Sequence, residues 1–346
     1  MSIDLFNNEY VKDILFQPTA MADTFAYLDQ EGQGIFAGPQ LSIDHYKRIV
    51  LTGMGSSYHA LAPLYYRLIA AGLTTHWIET SELIYFAESY LTPDTLLVVV
   101  SQSGSSAEVS HLLKTVGHQV DVIAVVNDPE SELAQKATWK VLTRAGKEFS
   151  VSCKTYLSAL MALNWLGDHL LPQTEALFPA LAECIPWTTA YLQHWQEHVE
   201  ELKKLYFGKT DLFLIGRGDS LAAVGTGGLI LKESAHFHSE GMSSAAFRHG
   251  PKEMLSPSVQ VVLFEGAKKI RRLNHQMAEE MQGQGFNAEL IAEDSRIDAF
   301  RLPAVTEGCR PLLEMLPVEM SSLALALLHD HEPGVFSIGT KVTNIE

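Results

Sequence analysis

The stretch VVVSQSGSSAEVSHLL, Val98 to Leu113, decides the fold. Its three valines, with Leu96 and Leu97 before them, form an apolar run without polar alternation, the mark of a strand covered on both faces in a parallel sheet. The run passes straight into Ser101-Gln-Ser-Gly-Ser-Ser106 and then into a helix. A strand, a hydroxyl-rich loop and a helix in that order make an anion cradle. The helix N-terminus supplies free N–H groups, Gly104 lets the backbone come close, and Ser101, Ser103, Ser105 and Ser106 are able to donate O–H to phosphate oxygens; an N-cap with spare serines is the other reading of one such loop.

The same unit recurs on either side. RIVLTGMGSSYHALAPLYYRLIAAG, from Arg48, gives strand, Gly-rich loop and helix, and VDVIAVVND, from Val120, supplies another strand. This order predicts a doubly wound parallel sheet. From about Tyr156 to Leu205 the pattern turns helical, with Pro172, Pro179 and Pro186 as punctuation. DLFLIGRGDSLAAVGTGGLILKE, from Asp211, then copies the first unit, Gly216 to Ser220 standing where Gly53 to Ser57 stood, and VQVVLFEGAKKIRRLNHQMAEEM, from Val259, copies the second. An internal duplication into two tandem α/β domains is expected. The expected boundaries are a helical lead-in over 1–35, a first domain over 36–170, a connector over 171–205, a second domain over 206–330 and a tail over 331–346. In the second copy FEGAKK replaces the serine loop and carries no hydroxyl, so one phosphate loop per chain is expected.

Composition narrows the function. The 346 residues are 47% hydrophobic, enough for two cores, and no apolar run reaches the roughly 20 residues of a membrane helix. The acidic, amphipathic N-terminus is no signal sequence, so a cytoplasmic protein without membrane partners is expected. A net charge of −16 argues against nucleic acid, which needs basic surface to displace counterions. Cys153, Cys184 and Cys309 are too few and too widely spaced for a disulfide framework or a zinc knuckle, and reduced thiols are expected.

Proton-transfer candidates lie in LKESAHFHSEGMSSAAFRHGPKEM, from Leu231. Glu233 and Glu240, seven apart, are expected on one helical face with His236; Gly241 ends that helix, and RHGP presents His249 in a turn. A carboxylate and an imidazole on separate elements suit proton transfer at two atoms of one substrate. His194-Trp-Gln-Glu-His198 matches an inverted zincin pattern but has no third ligand nearby in sequence, so no metal is assigned to it. His236-x-His238 and His329-x-His331 are spaced to opposite helix faces, and KKIRR, Lys268 to Arg272, reads as a solvated helix start.

In combination, TGMGSSY, VVSQSGSSAEV, GRGDS, KESAHFHSEG…FRHGP and the terminal KVTNIE resemble the sugar isomerase (SIS) domain proteins, in particular the isomerase half of glucosamine-6-phosphate synthase and its stand-alone deaminase and deglycase relatives. The resemblance runs in order from about residue 20 to the end. It implies that Ser57, Ser101, Gln102, Ser103 and Ser106 bind the phosphate and nearby hydroxyls of a sugar 6-phosphate. It also implies that Glu233 moves a proton between C1 and C2, that His249 opens the sugar ring, and that Lys341 is the tail lysine that forms an imine with a ketose. A homodimer follows from the same analogy, His249 reaching the neighbouring subunit's site, with no metal or redox cofactor. Two departures stand out. Ile230 replaces the synthases' lysine three residues before the glutamate, and EFSVSCKTYL, from Glu148, matches the Val-x-x-Thr-Lys stretch only loosely. The chain opens on Met-Ser-Ile-Asp rather than a glutaminase cysteine, so breakdown of an amino sugar phosphate is expected rather than synthesis: a glucosamine-6-phosphate deaminase or a glucoselysine- or fructoselysine-6-phosphate deglycase. A plain phosphosugar isomerase and a non-catalytic sugar-phosphate sensor are the alternatives.

Overall fold

Strand β1 (Arg48–Gly53), β2 (Thr75–Glu79), β3 (Thr95–Ser101), β4 (Asp121–Val126) and β5 (Trp139–Leu142) form one sheet in the order β2-β1-β3-β4-β5, and every pairing in it is parallel. Strands β6 (Asp211–Gly216), β7 (Ser239–Ser243), β8 (Val259–Phe264) and β9 (Asn287–Ile291) form a second parallel sheet in the order β7-β6-β8-β9. The computed structural model describes residues 3–38, 41–117 and 119–343. The chain is therefore an α/β protein with two parallel sheets flanked by helices. It divides into two compact units, each gathered from separate stretches of chain.

One unit comprises Thr19–Glu148, Lys154–Ala182 and Ile338–Glu346, and holds the first sheet together with the C-terminal tail. All seven residues of β3 are buried, as the unbroken apolar run predicts. Leu97 and Val99 of β3, with Val122 and Ala124 of β4, pack against Val109, Leu112 and Leu113 of the helix Ala107–Val116. Each large apolar side chain removed from water in this way is worth about 1.5–3 kcal/mol. The helix Lys154–Leu170 is buried almost throughout, and its half-buried C-terminal turn is fixed by Arg67 Nη2, which donates to Asp168 Oδ1 at 2.7 Å.

The other unit comprises Met1–Pro18, Phe149–Cys153 and Glu183–Ser337, and holds the second sheet. Phe213, Ile215, Val261 and Leu263 of its central strands pack with Phe247, Met277 and Met281. The helix Leu221–Ala235 packs on the helix Arg310–Leu328. Among the described residues, Glu307–Leu328 is the one helical segment long and apolar enough to cross a membrane by length and composition, and 89% of its apolar window is buried inside the protein. The sequence reading found no such run because Glu314 and Glu319 interrupt it, and both are fully buried here. It is a core helix, two of whose carboxylates find partners inside. The three cysteines are buried, and none is in a disulfide.

Candidate active site

The order of the first sheet makes the junction of β1 and β3 its topological switch point, where chain connections leave in opposite directions and a crevice opens at the carboxyl ends. The last registered pair of these strands is Gly53 with Val100, so Met54 to Ser57 and Ser101 to Ser106 emerge side by side. Gly53 makes this closeness possible. A Cβ there would lie 3.0 Å from the backbone of Ser57, Tyr58 and Val100. Ser57 is half-buried in the short helix Gly55–His59, its N–H donating to the Met54 carbonyl at 3.0 Å.

In the second loop three of the serine oxygens are acceptors, while Ser105 Oγ donates to the Ser103 carbonyl at 3.2 Å. Ser101 Oγ accepts from Gly104 N–H at 3.1 Å, Ser103 Oγ from Ser105 N–H at 3.3 Å, and Ser106 Oγ caps its helix by accepting from Val109 N–H at 3.4 Å. A hydroxyl that accepts from the backbone keeps its own hydrogen to donate, which is what a phosphate oxygen requires. Gln102 is half-buried, its carbonyl accepting from Asn127 N–H at 3.2 Å. Gly104 takes φ +61, and a Cβ on it would lie 2.6 Å from Ser131 Cβ and 2.9 Å from Val126 Cγ2.

The tail joins this loop. The N–H of Ala107, first residue of the helix after the loop, donates to the Thr343 carbonyl at 3.1 Å. Lys341, two residues earlier, places Nζ 2.6 Å from Glu148 Oε2. Ser57, Ser101, Gln102, Ser103, Ser106 and Lys341 thus belong to one unit. The last three residues of KVTNIE lie outside the described residues.

Glu233 and His249 belong to the other unit. Glu233 is half-buried near the end of the helix Leu221–Ala235, which stops at His236 in the left-handed conformation, φ 50. This corrects the expected helix through Glu240: Glu240 is an exposed residue of the edge strand β7 and shares no helical face with Glu233. The carbonyl next to Glu233, that of Ser234, accepts from Gly334 N–H at 3.1 Å. Tyr10, fully buried, has its hydroxyl pushed well above its ordinary pKa by burial first and then by the charges of Glu319, Cys153 and Glu233. His249 is exposed and ends the helix Ser244–Arg248, its N–H donating to the Ala246 carbonyl at 2.9 Å.

Beyond β8 there is no serine loop but a charge network. Glu265, buried, meets Arg310 Nη1 at 3.1 Å, Arg271 Nε at 3.2 Å and His275 Nε2 at 3.0 Å. Arg271 therefore turns inward, while Lys268, Lys269 and Arg272 of the KKIRR run are exposed as expected. Glu265, His275 and Asp294 are the one group of described residues spaced to hold a metal ion, but the two guanidinium groups on Glu265 oppose a cation there. His198, of the zincin-like pattern, stacks on Tyr191 with ring centroids 4.3 Å apart, and burial lowers its pKa.

Sequence reasoning missed the pairing of Glu148 with Lys341; only the loose match in EFSVSCKTYL drew attention to that stretch.

Comparison with known proteins agrees with this fold. Residues 42–167 match the SIS domain. The chain is 29% identical over 340 residues to a glutamine–fructose-6-phosphate aminotransferase (isomerizing) of Pyrococcus horikoshii, covering 93% of this chain and 55% of the relative. It is 29% identical over 343 residues to that of Thermococcus kodakarensis, covering 93% and 56%. The chain spans about half the length of these curated relatives. Among solved structures, the C-terminal domain of glucosamine-fructose-6-phosphate aminotransferase from Francisella tularensis shares the fold with a TM-score of 0.76 and 20% identity, covering 94% of this chain and 97% of that one. Glucosamine-6-phosphate deaminase from Thermotoga maritima gives 0.75 and 15%, covering 97% and 100%, and tagatose-6-phosphate ketose/aldose isomerase from Escherichia coli gives 0.78 and 16%, covering 95% of each. The strand-end serine loops, the fold and the matched segment agree in one statement: residues 42–167 match an SIS domain.

Proposed function

We propose that this protein is a phosphosugar-processing enzyme that moves a proton between C1 and C2 of a 6-phosphorylated amino sugar and releases the amine. The observation that supports the reading is that the tail is tied, within one unit, to the helix that follows the serine loop: the Thr343 carbonyl accepts from Ala107 N–H, and Lys341 lies two residues earlier in the chain. A phosphate held by hydroxyls, with a primary amine on the tail segment bound to the following helix, suits a sugar phosphate whose carbonyl is reached by that amine. A net charge of −16 makes this local binding necessary, since no global positive field draws in an anion.

In this reading Ser57, Ser101, Gln102, Ser103 and Ser106 hold the phosphate and neighbouring hydroxyls, and His249 opens the ring. With a C2-amino aldose Glu233 takes the proton from C2 and returns it at C1; with a C1-amino ketose such as fructoselysine-6-phosphate the transfer runs from C1 to C2. The resulting imine is hydrolysed, and no redox step is involved. A second SIS-type domain around β6–β9, a homodimer in which His249 serves the neighbouring subunit, and a cytoplasmic location belong to the same proposal. Ammonia is the leaving group in a deaminase and an amino acid such as lysine in a deglycase.

The test is incubation with glucosamine-6-phosphate, glucoselysine-6-phosphate and fructoselysine-6-phosphate in turn, measuring released ammonia or lysine beside hexose-6-phosphate. General acid–base help is worth roughly 10²–10⁴-fold, so Glu233→Gln should reduce amine release by about that factor while leaving the thermal shift by inorganic phosphate intact. Interconversion of ketose and aldose 6-phosphates without amine release would replace this reading with plain isomerisation, for which the shared fold of the tagatose-6-phosphate isomerase is the specific precedent. Binding of hexose phosphates without any turnover would make the protein a sensor.

A further inference from the structure

Glu148 has no part in the roles above, yet its carboxylate is the most deeply placed charge of the first unit's candidate site, with a side-chain exposure of 0%. Burying an ionised carboxylate is costly unless it is paired and hydrogen-bonded. Here Oε1 accepts from Thr155 N–H at 3.0 Å, and Oε2 accepts both from Thr155 Oγ1 at 2.6 Å and from Lys341 Nζ at 2.6 Å. The lysine arrives from 193 residues further along the chain and is itself only 20% exposed. Two residues beyond it the tail makes its backbone bond to Ala107 N–H, at the start of the helix that follows the serine loop. Two attachments, one ionic and one backbone, thus flank Val342 and fix where the Lys341 amine lies.

We propose that Glu148 is a positioning residue for Lys341: the buried carboxylate tethers the C-terminal tail so that the amine stays beside the phosphate loop. This rests on the reading that Lys341 acts on the sugar phosphate, but the tether itself is testable without turnover. Thr155 is part of the device, because its two donors aim the carboxylate and leave Oε2 facing the lysine.

Trypsin reads the tether directly, since cleavage after Lys341 requires its side chain to leave Glu148 and enter the protease. In the full chain, mass spectrometry of the intact protein follows loss of the segment after Lys341. Charge-assisted hydrogen bonds of this kind predict cleavage there about 10- to 100-fold faster in Glu148→Gln, with cleavage at other lysines and arginines unchanged. Thr155→Val, a near-isosteric change, is the second variant should Glu148→Gln fail to fold, and is expected to speed the same cleavage several-fold. The kinetic arm is a double-mutant cycle: Glu148→Gln lowers kcat with KM close to wild type, and has no further effect on kcat in a Lys341→Met background.

Cleavage after Lys341 at the wild-type rate in both variants overturns the tether, and an equal loss of kcat from Glu148→Gln with and without Lys341 overturns the action through that residue. Selective cleavage in a protein that turns over no sugar phosphate upholds the tether and removes the activity reading instead.

Discussion

Glu314 offers a prediction whose size follows from the structure. It lies in the core helix Arg310–Leu328, fully buried, with Ser220 Oγ donating to Oε1 at 2.8 Å. Burial pushes its carboxyl up to about 7 from an ordinary 4.5, against the smaller opposing effects of the Ser220 hydrogen bond and the Arg310 charge. A carboxyl raised in the folded state binds a proton there that the unfolded chain has already released. Its contribution to stability is therefore fully present below pH 4.5 and is lost as pH rises through about 7. At 1.36 kcal/mol per pH unit, that interval is worth about 3 kcal/mol. Glu314→Gln keeps the shape and removes the titration, so the variant should gain about 2–3 kcal/mol on wild type between pH 5 and pH 8. Urea unfolding of both proteins at four pH values, with slopes compared, measures this. Stability curves that run parallel across the range would show that burial does not keep this carboxyl protonated, and the reasoning would fail.

Three further outcomes test the loop and its supports. Gly104→Ala meets both a left-handed backbone and the Ser131 and Val126 side chains, so it should cost about 2–4 kcal/mol in urea unfolding and erase the thermal shift by phosphate. Gly208→Ala has a similar φ of +73 with no atom within 4 Å, and should cost only about 1 kcal/mol and leave that shift alone. Ser106→Ala removes the cap on Val109 N–H, which should cost about 0.5–2 kcal/mol and weaken the phosphate shift, whereas Ser106→Asp should restore most of the stability but repel phosphate. Arg67→Met strands Asp168 with only the Leu177 and Phe178 N–H groups as partners, and a loss of about 1–3 kcal/mol is expected by the same measurement.

What could be read from the sequence depended on how many residues carried each signal. The central strands β1, β3, β4, β6 and β8 were legible because burial on both faces demands consecutive apolar residues, and Leu96 to Val100 or Val259 to Phe264 supply them. The partly exposed strand β7 was not, since Ser-Glu-Gly-Met-Ser has neither an apolar run nor β-branched residues, and its place is set by pairing with β6. Reading it as the continuation of a helix put Glu240 beside Glu233, an error that no local pattern could have prevented: the stop is a left-handed histidine, where the usual signal is glycine. The same contrast holds in the candidate site. Serines clustered with glycines after two adjacent strands are a dense local signal, and the loop was legible. Glu148 is a single acid between a lysine and a phenylalanine, and what distinguishes it is a partner 193 residues away. A buried charge is specified by the few groups that close around it, and for Glu148 these include Thr155, from the start of a buried helix, and Lys341, from the tail. Neither gives a spacing that a sequence pattern could detect, which is why a fully buried charge in the serine-loop unit was left unmarked by the sequence.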